Sequence, residues 1–165
     1  RMKLGIYLDE EDADLEEILP LFEHVLARPI NDDPLQLEQQ YDAASRVASF
    51  LFKQREVHRG LEYSKKAVEL AQIRDDKYDL VRSAWNYAGD LHEAEQEGFL
   101  ELYELGIAHL HDALTTGTVL PNPNQIGMLM KFFEGISKKL QQQERFEEVI
   151  KQLQAKSAKN SADGN

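Results

Sequence analysis

Apolar residues recur every three to four positions through most of this chain, and strict apolar–polar alternation is nearly absent. That period gathers apolar side chains on one stripe of a helix, whereas strands need a period of two. The pattern predicts seven helices and no sheet. The first covers residues 10–28, with Leu15, Ile18, Phe22, Val25 and Leu26 in register, and Pro20 inside it should kink it or mark a restart. Asn31-Asp32-Asp33-Pro34 is a start signal, with Asp33 able to cap and Pro34 suited to the first helical position. The second helix then reaches residue 54, and the third covers 56–73. Asp75 or Asp76 opens the fourth, which runs to residue 96; Gly98 breaks it, and the fifth covers 99–114. Thr115-Thr116-Gly117-Thr118 ends the fifth, Asn122-Pro123 opens a sixth that runs to residue 142, and the seventh covers 144–156. Residues 157–165 are small and polar and predict a disordered tail. No low-complexity linker divides 1–156, which reads as one domain.

Helices two to seven align as three pairs. Ala44, Ala48, Val57, Gly60, Ser64 and Ala67 of the first pair match Trp85, Gly89, Tyr103, Gly106, Leu110 and Ala113 of the second. The third pair supplies Phe133, Ser137, Phe146, Val149, Leu153 and Lys156. A glycine inside a helix costs roughly 1 kcal/mol relative to alanine. Glycines at Gly60, Gly89 and Gly106 therefore point to crossings where two helices approach closely.

The spacing Trp85-x2-Ala88-Gly89-x2-His92 resembles the first-helix signature of the tetratricopeptide repeat. The stretch 56–70 and Arg145-Phe146-Glu147-Glu148-Val149-Ile150 look like its second helix, and the first helix of the chain looks like an orphan second helix. The resemblance implies an all-α fold of antiparallel helix pairs, stacked as a short right-handed superhelix of about seven helices. It departs from the family in its spacing. Val25 to Ala67 is 42 residues, Ala67 to Ala113 is 46 and Ala113 to Lys156 is 43, against a family period of about 34. Lys156 stands where the pattern wants a small residue, as suits a capping helix.

In that family the first helices line a concave face. Projecting its groove positions selects Asp42, Ser45, Ser49 and Phe52, then Ser83, Asn86, Tyr87, Asp90 and Glu93, then Lys131, Glu134, Lys138 and Gln141. The candidate binding residues are Ser45, Ser49, Phe52, Asn86, Tyr87, Asp90, Lys131, Glu134 and Lys138. Their mixed polarity suits hydrogen bonding to an extended or helical peptide. The family's carboxylate clamp for chaperone tails falls on Ser45, Ser49, Tyr87, Lys131 and Gly135; only Lys131 matches, so that subtype is not expected. The resemblance implies a protein- or peptide-binding module, a scaffold, assembly or regulatory adaptor. Its alternative is the peptide-sensing domain of a bacterial regulator, or a non-catalytic subunit of a helical-solenoid enzyme.

Charge narrows the partners. The 165 residues carry 30 acidic and 19 basic side chains, a formal charge of −11. Phosphate backbones and anionic membranes repel such a surface, and the basic residues form no strip. Nucleic acid and membrane are therefore not expected, and acidic groove residues favour a partner bearing basic ones. Phe50, Phe52, Met128, Met130 and Phe132 offer a route to a homodimer.

Chemistry finds no foothold. There is no cysteine, which removes thiolate ligands and nucleophiles. His24, His58, His92, His109 and His111 fall in no metal-ligand spacing, and phosphate-binding glycine loops and nucleophile elbows are missing. The run Asp9-Glu10-Glu11-Asp12 reads as a solvated helix start. Neither an enzyme nor a metal or cofactor site is expected, and a cytoplasmic location fits the absence of cysteine and of a secretory leader.

Overall fold

A computed structural model describes residues 15–115 and 123–163. The described residues form seven helices: α1 Leu15–Leu26, α2 Pro34–Lys53, α3 Val57–Arg74, α4 Lys77–Glu93, α5 Phe99–Thr115, α6 Pro123–Lys139 and α7 Gln143–Asp163. They pack as sequential neighbours in two compact units. One holds α1, α2 and α3 with Glu93–Glu95; the other holds α4 as far as His92, then Gln96 and α5 to α7.

Helix ends follow local chemistry. Asp33 caps α2 by accepting from Leu35 N at 3.1 Å, with Pro34 at the first helical position. α1 continues through Pro20 without restarting. The expected starts and stops at residues 10–14 and 116–122 lie outside the described residues. Asp75 closes α3 in the left-handed region, φ 56°, and α4 begins after Asp76. α7 continues past Lys156 to Asp163, because no glycine or proline interrupts it before Gly164.

The three turns from a first helix to its partner repeat one device. Arg55, Glu95 and Gln141 take φ near +60° (62°, 57° and 58°). The next amide in each case reaches back five residues: Glu56 N to Leu51 O at 2.8 Å, Gln96 N to Leu91 O at 2.9 Å, and Gln142 N to Ser137 O at 2.7 Å. These are Schellman ends built without glycine. Gly98, at φ 99°, does need its missing side chain, and α5 starts directly after it.

Counted from those turns, the repeat differs from its reading in the sequence. Ala48, Gly89 and Ser137 stand 7, 6 and 4 residues before Arg55, Glu95 and Gln141. Gly60 is the fourth residue of α3, whereas Gly106 is the eighth of α5. The small residues do lie at crossings, but at different heights, because helix and loop lengths vary from pair to pair.

In the first unit Leu19, Phe22 and Val25 of α1 pack on Ala43, Val47, Phe50 and Leu51 of α2. A Cβ on Gly60 of α3 would lie 2.7 Å from the Phe52 ring. Gln40 is buried and donates from Nε2 to Arg28 O at 2.9 Å and Val25 O at 3.3 Å, tying α2 to the last turn of α1 and the residues just after it. Tyr63 of α3 donates to Glu23 of α1 at 3.2 Å; burial, then the Glu23 charge, push its phenol above the ordinary value.

The second unit is built around Trp85, which is fully buried. Its indole lies on the face of α5 where Gly106 has no side chain; a Cβ there would sit 2.6 Å from Cδ1 and 2.7 Å from Cε2. The indole N–H donates to Tyr103 O at 3.0 Å. On its other side Trp85 stacks on Phe133 of α6, ring centroids 5.0 Å apart and planes 9° apart. The Tyr103 hydroxyl lies 2.7 Å from Ser137 Oγ on α6, and Ser137 donates to Phe133 O at 2.6 Å. Burial raises the Tyr103 phenol above its ordinary value, and with the Ser137 proton committed to Phe133 O, the Tyr103 hydroxyl is the donor to Ser137. Phe146 and Val149 of α7 close the core against Phe133 and its neighbours. Outside it, Arg145 of α7 holds Glu104 of α5 through two bonds of 2.8 and 2.9 Å, and Lys77 pairs with Asp112 at 3.3 Å.

Two expectations follow for stability. Gly106→Ala gains helix propensity but drives a methyl into a buried ring, and should cost about 1–3 kcal/mol in urea unfolding; Gly60→Ala should cost less, because Phe52 is only half-buried and can yield. Ser137→Ala strands the buried Tyr103 hydroxyl and should cost about 1–3 kcal/mol, more than Tyr103→Phe, which leaves Ser137 bonded to Phe133 O.

A pH effect comes from the α5–α7 seam. Burial, then the charge of Lys156, hold the His111 imidazole below its ordinary 6.5; a Gln152 hydrogen bond opposes this, and Arg145 adds a smaller push downward. The unfolded chain therefore binds this proton more readily than the folded one. The resulting stability is fully present above about pH 6.5 and is lost as pH falls through the lower folded value. Urea unfolding from about pH 7.5 to 5 should show that loss, and His111→Asn should flatten the slope.

Candidate functional site

α4 and α6, the first helices of the second unit's two pairs, run beside each other. Gly89 of α4 lets them approach: a Cβ there would lie 3.1 Å from Ile136 Cδ1 and 3.5 Å from Lys139 Nζ. Above this crossing is an open groove of about 300 Å³. Trp85, Asn86, Gly89 and Asp90 form its α4 wall; Phe132, Gly135, Ile136 and Lys139 form its α6 wall.

The walls divide by depth. Trp85, Gly89 and Ile136 are buried and make the floor, while Phe132 is half-buried and stacks on Trp85 with centroids 5.8 Å apart. Asn86 is exposed, so its carboxamide presents donors and an acceptor to the groove. Asp90 and Lys139 bring one acid and one base, on opposite walls. The arrangement can hold an apolar group against Phe132 and hydrogen-bond polar groups along the rim.

Two of the nine residues selected from the sequence line this groove: Asn86 and Asp90. Tyr87 shares α4 with them and is half-buried, outside the lining. Lys131, Glu134 and Lys138 are exposed on α6 but outside the lining, and Lys138 pairs with Glu134 at 3.2 Å along the helix. Three of the four residues that line it on that side, Phe132, Gly135 and Lys139, each follow one of these by one position, and the fourth is the buried Ile136. A step of one residue turns a helix face by about 100°, so α6 is rotated by one position from the projected register. Phe132 and Gly135 could have been found from the pair Phe132-Phe133, since only one of two adjacent rings can point straight into a core. In the first unit, Ser45 is half-buried, Ser49 exposed, and Phe52 covers Gly60.

The aromatic and methionine side chains considered for self-association are mostly used in packing. Phe50 is buried between α1 and α2, Met130 and Phe132 lie against the second core, and Met128 is the exposed member at 56%.

Among the described residues no three His, Asp or Glu side chains gather at a metal position. Nor is any helix among them long and apolar enough to cross a membrane. Comparisons with known protein families, with curated proteins and with solved structures find no match.

Proposed function

We propose that this chain is a protein- or peptide-binding module of tetratricopeptide-like helix pairs, acting as a scaffold, assembly or regulatory adaptor. The observation that carries the reading is the α4–α6 groove, a cleft between the first helices of successive pairs with an aromatic floor and a polar rim. Such a surface suits a peptide that inserts one apolar side chain and bonds its main chain to the walls. The spacing Trp85-x2-Ala88-Gly89, like the family's first-helix signature, supports it too. The partner is another protein or peptide, and the chain's formal charge of −11 favours one bearing basic residues. No catalytic, metal or cofactor role is part of the proposal.

The test uses twelve-residue peptides selected from a random phage-displayed library against the whole chain. Asn86→Ala and Phe132→Ala should each weaken the selected peptides at least about tenfold, equal to about 1.4 kcal/mol. Lys131→Ala and Lys138→Ala, which lie outside the groove, should leave them within about twofold. Selected peptides indifferent to Asn86 and Phe132 would overturn the assignment.

A further inference from the structure

Met128 combines two properties. It is exposed, at 56%, near the start of α6. Its Sδ also accepts from the Tyr78 hydroxyl of α4 at 3.8 Å. Tyr78 is buried in the second core, and the Arg82 guanidinium lies 5.3 Å from its ring centroid. Met130, two residues on, is half-buried and packs against that core. A nucleophilic sulfur thus stands at the surface while it serves as acceptor for a largely buried phenol. A thioether is a weak acceptor, so the tie it makes between α4 and α6, the helices that wall the groove, is a weak one.

We propose that Met128 is a site of reversible oxidation to the sulfoxide by hydrogen peroxide, and that the sulfoxide strengthens the bond from Tyr78. One sulfur lone pair attacks a peroxide oxygen, and the S–O bond forms as the O–O bond breaks. The departing hydroxide takes the proton left on the transferred oxygen and leaves as water. Sulfur is oxidised by two electrons and the peroxide is reduced by two. Tyr78 engages the other lone pair, so its bond does not block the attack. The new oxygen carries partial negative charge one bond from the sulfur, within reach of the same hydroxyl. An O–H···O bond there is shorter and stronger than the O–H···S bond it replaces. A sulfoxide placed inside a core disrupts it. At an exposed position the oxygen keeps its water, and that cost falls away. Oxidation of Met128 therefore tightens α4 against α6.

The experiment treats the folded chain with limiting hydrogen peroxide and follows each methionine by peptide mass. Met128 should gain one oxygen at least about fivefold faster than Met130. Urea unfolding then uses the double variant Met2→Leu, Met130→Leu, in which Met128 is the remaining one of three methionines, before and after oxidation. The oxidised chain should unfold at higher urea, and methionine sulfoxide reductases for the two sulfoxide epimers should restore the starting midpoint. Tyr78→Phe in the same background should be oxidised too, but without the gain. Met130 reacting as fast as Met128 would overturn the proposal. So would an oxidised chain that unfolds at equal or lower urea, or a gain that persists without the Tyr78 hydroxyl.

Discussion

One indole ring organises the second unit. Trp85 can enter the space between α4, α5 and α6 because Gly106 presents bare backbone to it, and it stays because its N–H has Tyr103 O within 3.0 Å. Without that acceptor a buried indole N–H would lose its hydrogen bond to water for nothing. With it, the ring fixes the separation of α4 and α5 and offers a flat face to Phe133. Tyr103 and Ser137 then tie α5 to α6 through a second buried bond. Three helices are thus held by directional contacts around one ring, and α7 adds apolar cover and the Arg145–Glu104 pair.

The groove depends on the same ring. Trp85 is its floor, Phe132 stacks on that floor, and Gly89 brings α6 close enough for the two walls to face each other. Under the proposed reading, a binding surface so placed would inherit the rigidity of the core beneath it, which lowers the entropy lost when a peptide docks. Substitutions in the core and in the groove should therefore be coupled rather than additive, since they share Trp85.

Helix count, helix type and the approximate extent of most helices were legible in the sequence, because the apolar period, Asp33-Pro34 and Gly98 are strong local signals. So was the importance of Trp85, Gly60, Gly89 and Gly106, since a large ring or a bare backbone inside a helix needs a neighbour to explain it. The equivalence of small residues between pairs was not. It matched small residues by their order along each helix, whereas α3 and α7 begin two residues after the left-handed Arg55 and Gln141, and α5 begins four after Glu95. Those ends use Arg, Glu and Gln, which give no glycine signal to align on. On α4 two of the residues projected from the resembled family, Asn86 and Asp90, line the candidate groove beside the buried Trp85. On α6 the groove is lined by Phe132, Gly135, Ile136 and Lys139, beside the projected Lys131, Glu134 and Lys138, and two adjacent phenylalanines give the apolar pattern no single register there.

Trp85 is the chain's single tryptophan, so its fluorescence reports on the central contact without interference. In the native chain its emission should be blue-shifted relative to the unfolded chain and insensitive to iodide. In Gly106→Ala it should shift to the red and become open to quenching while helical circular dichroism persists. Emission already red and freely quenched in the native chain would contradict the account.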